Sequence, residues 1–350
     1  MFHDIALDDL FALQQKEEHT IIDVRSPKEF HESTIPGSIN IPVFNNDERA
    51  EVGTIYKQVG QEAAKERGLE IFSAKLPDFI AAFRKIDTPK TVFCWRGGMR
   101  SKTAATVLDL MGIKANRLSG GFRTYRQWVV ATLAEEEFKP DLYVLNGYTG
   151  SGKTTILKLL AQKGYPVMDL EGMANHRGSI FGQIGLEPSS QKEFESQLVQ
   201  AMIRYQDAPF VFVEGESKRI GKATLPDFFY AKKEKGIQLF IDMPTKERIQ
   251  HILDDYQPWN SPKAFLEAFH IIKKRIHTPV AKQIDDDLQL GNYANAVQLL
   301  LEYYYDPRYE YAADQYPEER KIHIAARNVK EALQGIENVM NQQFPTKVRG

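Results

Sequence analysis

Cys94 is the only cysteine among 350 residues, and it stands in "TVFCWRGGMRS", residues 91 to 101. Apolar and β-branched residues lead up to it as a strand would, and two glycines and two arginines follow. The glycines let the backbone curl about the sulfur with its N–H groups turned inward, and a helix beginning just beyond adds positive potential. Arg96 and Arg100 reinforce that field. Such surroundings favour a thiolate or an adjacent anion, so Cys94, Arg96 and Arg100 form the candidate catalytic set.

A second reactive stretch, "GYTGSGKT" at 147 to 154, satisfies G-x-x-x-x-G-K-[ST] in full, with a strand-like run before it and a helix-like run after. Its candidate phosphate-binding residues are Gly147, Thr149, Gly150, Ser151, Gly152, Lys153, Thr154 and the adjoining Thr155. Backbone N–H groups in such a loop converge on phosphate oxygens at a helix N-terminus. Lys153 adds charge at the terminal phosphates, and Thr154 can ligate Mg²⁺. The pattern specifies a phosphate ligand without saying which, since any diphosphate satisfies the same nest. Asp169 and Glu171 follow "PVM", and Glu214 and Glu216 follow "VFV". Carboxylates at strand ends are candidates to orient a metal ion or act as a base.

The elements that must position these loops alternate. "TIIDVRS" (20 to 26), "SINIPV" (38 to 43) and "TVFC" (91 to 94) read as strands, and "MRSKTAATVLDLMGI" reads as a helix. "RLSGGFRTYRQWVVATLAEEEF" opens on a glycine turn and continues as a helix to about residue 138. The pattern then restarts. "DLYVLN" is a strand, "KTTILKLLAQKG" a helix stopped by Gly164, and "YPVMDL", "PFVFVEG" and "IQLFIDM" are further strands. Beyond residue 245 the periodicity is helical. The expected architecture is α/β, with parallel sheets covered by helices on both faces. One domain spans 1–138; a phosphate-loop domain with a helical C-terminal extension spans 139–350.

Composition narrows the function classes. Net charge is −2, so a nucleic-acid partner must be held by local basic patches and not by a global field. Mean hydropathy is −0.42, and no run approaches the roughly 20 apolar residues of a membrane helix. The opening "MFHDIALDDLFALQQKEE" lacks a basic start and an apolar signal core. With a single cysteine, these features predict a cytoplasmic protein with no membrane partner.

Two chemistries fit the cysteine loop. Cys94 and Arg100 satisfy the C-x5-R phosphate cradle of cysteine phosphatases, while a rhodanese-type sulfurtransferase carries a persulfide in a similar loop. Upstream, "DVRSPKEFHESTIPGSINIP" resembles the rhodanese pattern, with Ser33 and Thr34 where a histidine usually precedes I-P-G. A rhodanese-like domain joined to a phosphate-loop domain is a narrow combination, and here the chain resembles the tRNA 2-selenouridine synthase family. The resemblance rests on "DVRSPKEF", "NNDERAEVGTIYKQVG", "CWRGGMRS", "GGFRTYR", "GYTGSGKT", "DLEGMANHRGSIFG", "VEGESKRIG" and "LLEYYYDPRY".

The resemblance implies an enzyme that replaces the sulfur of 2-thiouridine, at the wobble position of certain tRNAs, with selenium from selenophosphate. It also implies S-geranylation from geranyl diphosphate, which makes the sulfur a leaving group, and an essential cysteine matching Cys94. In that reading the phosphate loop holds geranyl diphosphate without ATP. Cys94 attacks selenium and carries it as a selenosulfide, or helps to deliver it. The co-substrates are selenophosphate and geranyl diphosphate, no tightly bound cofactor is expected, and Mg²⁺ is a candidate companion. A persulfide sulfurtransferase with a nucleotide-binding regulatory domain is the chief rival. A tRNA-binding scaffold and a phosphatase or kinase are the others.

Further candidate substrate-binding residues are His176 and Arg177 in "ANHRGSIFG", and Ser217, Lys218 and Arg219 after Glu216. "GGFRTYRQW" and "EYYYDPRYEY" interleave aromatics with arginines, as a surface that stacks unpaired bases would, or as ordinary core positions would. "KKR" at 273 to 275 reads as a solvated face within reach of tRNA.

Overall fold

The computed structural model describes residues 2–16 and 18–344. Two compact units are present. One runs through Glu135 and includes the segment Glu195–Val199; the other comprises Glu136–Phe194 and the chain from Gln200 onward.

The first unit contains β1 (Asp4–Ile5), α1 (Leu7–Lys16), β2 (Thr20–Asp23), α2 (Pro27–Glu32), β3 (Ile39–Asn40), α3 (Asn46–Gln58), α4 (Gln61–Arg84), β4 (Lys90–Phe93), α5 (Met99–Leu110), β5 (Asn116–Leu118) and α6 (Gly121–Ala134). Its five strands are parallel in the order β1-β5-β4-β2-β3, which puts β4 and hence Cys94 at the centre. Every residue of β4 is buried, as a central parallel strand requires. One core gathers Ile22, Val92, Phe72, Phe79 and Phe83; the other gathers Leu10, Ile21, Phe93, Phe122 and Tyr125.

Local signals start the helices. Ser26 accepts from the Glu29 N–H while the Glu29 carboxylate accepts from the Ser26 N–H, with Pro27 in the first turn of α2. Asn45 and Glu48 repeat the capping box at α3. The α3–α4 hairpin is held by Lys75–Glu48 and Arg67–Glu51 ion pairs, each 2.6 Å. Boundaries differ from the sequence reading, two of them most clearly. Only Ile39 and Asn40 of "SINIPV" join the ladder, and α6 stops at Ala134, with Glu136 at φ 53° breaking the helical path.

The second unit contains β6 (Asp141–Gly147), α7 (Lys153–Gln162), β7 (Val167–Met168), α8 (Leu170–Ala174), α9 (Gln191–Tyr205), β8 (Phe210–Glu214), β9 (Arg219–Ile220), β10 (Ala223–Thr224), α10 (Asp227–Lys235), β11 (Ile237–Asp242), α11 (Thr245–Tyr256), α12 (Pro262–Ile272), α13 (Thr278–Leu290), α14 (Tyr293–Leu300), α15 (Asp306–Ala313), β12 (Lys321–Ala325) and α16 (Val329–Gln343). Helix α9 is shared, because its segment Glu195–Val199 groups with the first unit. The main sheet is parallel in the order β12-β11-β6-β8-β7, so the strand that feeds the phosphate loop is again central. Helices α12–α14 build a separate core around Phe181, Phe265, Phe269, Ile284 and Leu300.

The C-terminal part is not wholly helical. Strand β12 pairs with β11, setting Ile322 opposite Leu239 and Ile324 opposite Ile241, and α16 packs Leu333, Ile336 and Met340 into the core of that sheet. Five residues with two isoleucines, placed between helical segments, are too short a run for alternation to register in the sequence. Among the described residues no helix is long and apolar enough to cross a membrane.

Candidate functional site

Two sites sit at equivalent places, each just beyond the C-terminal end of a central parallel strand, where α/β sheets gather ligands. In the first unit, Cys94 follows β4, is 3% exposed, and has its Sγ 3.2 Å from the Ser101 hydroxyl in the first turn of α5. The loop is clamped from behind. Phe122 and Arg123 N–H groups donate to the carbonyls of Cys94 and Trp95, both at 2.9 Å. That approach demands glycine, because a Cβ on Gly121 (φ +61°) would lie 2.2 Å from the Cys94 carbonyl oxygen. "GGFRTYR" therefore buttresses the cysteine. Phe122 and Tyr125 are core residues, so they do not stack bases as one reading of that stretch allowed.

Beneath the loop, "DVRS" is scaffold. Asp23 and Arg25 form a fully buried ion pair at 2.6 Å, and Arg25 also donates to the Ser33 carbonyl at 2.7 Å. The Thr34 hydroxyl donates to Asp23 at 2.9 Å, so the residue standing near the absent histidine ties into this network. The two loop arginines differ. Arg100 is engaged by Glu29 through both its terminal nitrogens, at 2.5 and 3.1 Å. Burial pushes the Glu29 carboxyl up, but Arg100, the Ser26 N–H and Arg49 outweigh it and hold the group at about 2. Arg100 thus does not act on Cys94 as an unpaired charge, because the capping residue of α2 meets it. Arg96 is exposed. Above Cys94 opens a cavity of about 650 Å³, walled by Val43, Phe44, Val52, Tyr56, Leu69, Phe72, Trp95 and Met99. Much of this wall comes from the α3–α4 hairpin, where the sequence reading placed no site residue.

In the second unit the loop after β6 lines a pocket of about 340 Å³. Thr149, Gly150, Ser151, Gly152, Lys153, Thr154 and Thr155 are all at its wall, with Asp169, Glu171, His176, Arg177 and Glu216. Lys153 Nζ donates to the Gly147 carbonyl at 3.0 Å, and the Thr154 hydroxyl donates to Glu171 at 3.0 Å. Glu171 and Glu216 converge over Gly178, where a Cβ would lie 2.4 Å from one carboxylate and 2.6 Å from the other. Burial and then the Glu216 charge push Glu171 up to about 8. Burial opposes the charge on Lys153, yet Tyr309 and the carboxylates Glu216, Glu171 and Glu214 together raise its pKa. Among the described residues no group of three or more His, Cys, Asp or Glu could hold a metal ion by itself. The Thr154 hydroxyl and Glu171 carboxylate do fit a divalent cation that takes its remaining oxygens from ligand phosphates and water.

The other candidates divide. Asp169 caps α8 through the Gly172 N–H at 2.6 Å. Glu214 is wholly buried behind the pocket and accepts the Leu170 N–H at 2.8 Å; burial, with Asp169 and Glu171, raises its pKa well above the usual range. It positions α8 and does not face the ligand space. The His176 ring fits between Gly182 and Gly221, its Nδ1 accepts the Gly178 N–H at 3.1 Å, and burial lowers its pKa. Arg177 donates to the Ile184 carbonyl at 3.1 Å and lies 5.1 Å over the Tyr256 ring. Ser217, Lys218 and Arg219 are not at the pocket wall. Ser217 and Arg219 bond within their own hairpin, and Lys218 pairs with Asp227 at 2.6 Å on the surface. Of the basic run at 273 to 275, Lys273 is engaged by Asp285.

Several residues that brace the phosphate loop or line its pocket escaped the sequence reading. Arg248, 3% exposed, donates to the Thr149 carbonyl at 2.9 Å and pairs bidentately with Asp306 at 2.5 and 3.0 Å. His251 Nδ1 lies 3.0 Å from the Gly150 carbonyl. A π-helical turn at Leu301–Tyr305 brings Tyr305 to the pocket wall and precedes Asp306 and Tyr309. The "YYYDPRY" stretch thus divides: Tyr304 is buried, Tyr303 is exposed, and Tyr305 and Tyr309 face the ligand space. A narrow apolar pocket adjoins, lined by Phe181, Pro258, Phe265, Leu288, Val297 and Leu300. It shares Thr149, Ser179, Ile252, Tyr256 and Tyr305 with the phosphate pocket.

Comparison with known proteins bears on this pair of sites. The rhodanese-like domain family matches residues 6–127, and the tRNA 2-selenouridine synthase AAA domain matches residues 140–270. A tRNA 2-selenouridine synthase of Bdellovibrio bacteriovorus is 33% identical over 333 residues, covering 83% of this chain and 87% of its own. The chain belongs to the tRNA 2-selenouridine synthase family. Another member, from Nitrosomonas europaea, is 36% identical over 265 residues, covering 72% of this chain and 67% of its own. Among solved structures, a rhodanese-related protein of Thermoplasma volcanium aligns with 36% of this chain and 93% of its own, at 20% identity and a TM-score of 0.23. The two family matches and the sheet order together give a rhodanese-like parallel-sheet domain followed by the α/β domain of this enzyme family, with a largely helical C-terminal part.

Proposed function

We propose that this enzyme converts wobble 2-thiouridine in cytoplasmic tRNA to 2-selenouridine in two steps, one at each site. The observation that carries the reading is the phosphate pocket with Lys153 and Thr154 at its wall, which adjoins a small apolar pocket of about 40 Å³ able to take the start of an allylic chain beside the diphosphate.

In the first step the thiocarbonyl sulfur attacks the allylic carbon of geranyl diphosphate. The C–S bond forms, the C–O bond breaks, its electron pair leaves with diphosphate, and the base loses its N3 proton. Lys153 and the loop N–H groups stabilise the departing charge. Thr154 and Glu171 would hold a divalent cation such as Mg²⁺, which would supply further screening of the diphosphate charge.

The second step belongs to Cys94. A free sulfide is a poor leaving group, whereas an alkyl thiol departs readily. Thiolate attack on the selenium of selenophosphate would expel phosphorus as phosphite, and recovering phosphate would need an oxidant. Attack on phosphorus balances without one. The P–Se electron pair leaves as selenide, and water returns phosphate and the free thiol from the S-phosphocysteine. The Ser101 hydroxyl, 3.2 Å from the sulfur in the first turn of α5, supports this form. Selenide then adds at C2, and geranylthiol departs as the C–Se bond forms.

Nucleoside mass spectrometry on thiolated tRNA tests the order, with geranyl diphosphate and selenophosphate supplied separately and together. Geranylthiouridine with the first donor, converting to selenouridine with the second, is expected. Sulfur transfer from thiosulfate with neither product formed would favour the persulfide sulfurtransferase instead.

A further inference from the structure

The cavity above Cys94 is the wrong shape for selenophosphate alone. A small tetrahedral anion needs only a polar cradle of its own size. A space of about 650 Å³ is of the size that takes a drug-sized organic ligand. Its walls are mainly aliphatic and aromatic, and Tyr56, Leu69 and Met99 remain 58%, 68% and 56% exposed. Hydrophobic side chains held open around a reacting thiol call for an apolar group.

The charges around it are one-sided. Arg49, Lys57, Lys65, Arg96 and Arg100 line the cavity, and no Asp or Glu does. Glu29 and Glu62 engage Arg49, Arg100 and Lys65, which leaves Lys57 and Arg96 without an ion pair among the described residues. An apolar interior with a cationic lining matches a polyanion that presents a hydrocarbon at the reacting atom. The hairpin also keeps the space open. Gly53 lies inside α3, where glycine costs helix stability, and a Cβ there would meet only the flexible end of Arg49.

We propose that the cavity over Cys94 is the seat of the S-alkyl chain, holding the geranyl group of the alkylated tRNA while selenium displaces it. The proposal rests on the two-step reading above. It makes the first unit a second prenyl-recognising site, selective for long alkyl chains at the exchange step.

Full-length enzyme is given selenophosphate and an anticodon stem-loop carrying preformed S-geranyl-, S-methyl- or unalkylated 2-thiouridine, and selenouridine is quantified. The wild type should prefer the geranyl over the methyl substrate by about 10-fold or more in kcat/KM. Gly53→Leu, which fills the cavity with a better helix former, should reduce that preference to about 2-fold or less. Leu69→Asn, at an exposed position, should reduce it in the same direction. Geranylation of 2-thiouridine should be unchanged in both variants, showing that the protein is folded. Equal use of geranyl and methyl substrates by the wild type would overturn the seat while leaving the two-step reading intact. So would an undiminished preference in both variants. Selenation of unalkylated 2-thiouridine with neither alkylated substrate converted would overturn both.

Discussion

The cysteine site and the phosphate site occupy the same topological position, yet they are walled in opposite ways. Cys94 lies under a largely apolar cavity whose charged lining residues are all cationic. Lys153 lies in a pocket with converging carboxylates, its pKa raised by Glu216 and Glu171 among its neighbours. A parallel sheet determines where a ligand is presented; the elements attached around it determine which ligand. At the cysteine those elements are α3 and α4, and at the phosphate loop they are α8, α11 and the turn before α15.

If the two sites divide the chemistry, their defects should be separable. Lys153→Ala should lower geranylation by about 100-fold or more, the usual cost of removing a stabiliser of a developing anion. It should leave selenation of a pre-geranylated stem-loop intact. Cys94→Ser should show the converse. Loss of both steps in either variant, with a native melting profile, would break the division.

The next effects are structural. Arg248→Met removes one partner of a buried pair that also holds the Thr149 carbonyl, and should cost about 3 kcal/mol with a raised KM for geranyl diphosphate. Thermal denaturation and initial rates read the two effects. Gly121→Ala forces a Cβ toward the Cys94 carbonyl at a left-handed position, and should cost about 2 kcal/mol or more. Its activity loss should be confined to selenation; equal damage to geranylation would mean that the clamp is not local.

The smallest effect sharpens the charge assignment. Glu29 is held at about 2 against an ordinary value of 4.5, so its stabilisation is fully present above about pH 4.5 and is lost as pH falls toward 2. Discounted for partial exposure, Glu29→Gln should cost about 1 to 2 kcal/mol at pH 7. The difference between the two proteins should shrink through that acid window in urea titrations. A pH-independent difference would show that Arg100 is not the partner that matters.

Much of this was legible in the sequence, for identifiable reasons. The phosphate loop and the cysteine loop are contiguous, so glycine spacing and a flanking strand and helix reveal them. The parallel sheets follow from alternating buried strands. Strand β12 was hidden because its pairing with β11 is long-range and its own pattern too brief. Arg248 was hidden because its partners, Thr149 and Asp306, are 99 and 58 residues away. Glu29 reads as a helix cap, and nothing local shows that it also takes Arg100. Ser217 to Arg219 looked functional because they follow Glu216, but the β9–β10 hairpin turns them onto its own backbone and the surface.

The division of labour is tested most directly by trapping the intermediate. Cys94→Ser enzyme, given thiolated tRNA with both donors, should accumulate S-geranyl-2-thiouridine and no selenouridine. Adding Lys153→Ala enzyme, which cannot geranylate, should then chase that nucleoside to selenouridine. Full selenation by Cys94→Ser alone, or a geranylated nucleoside that no addition can chase, would contradict the account.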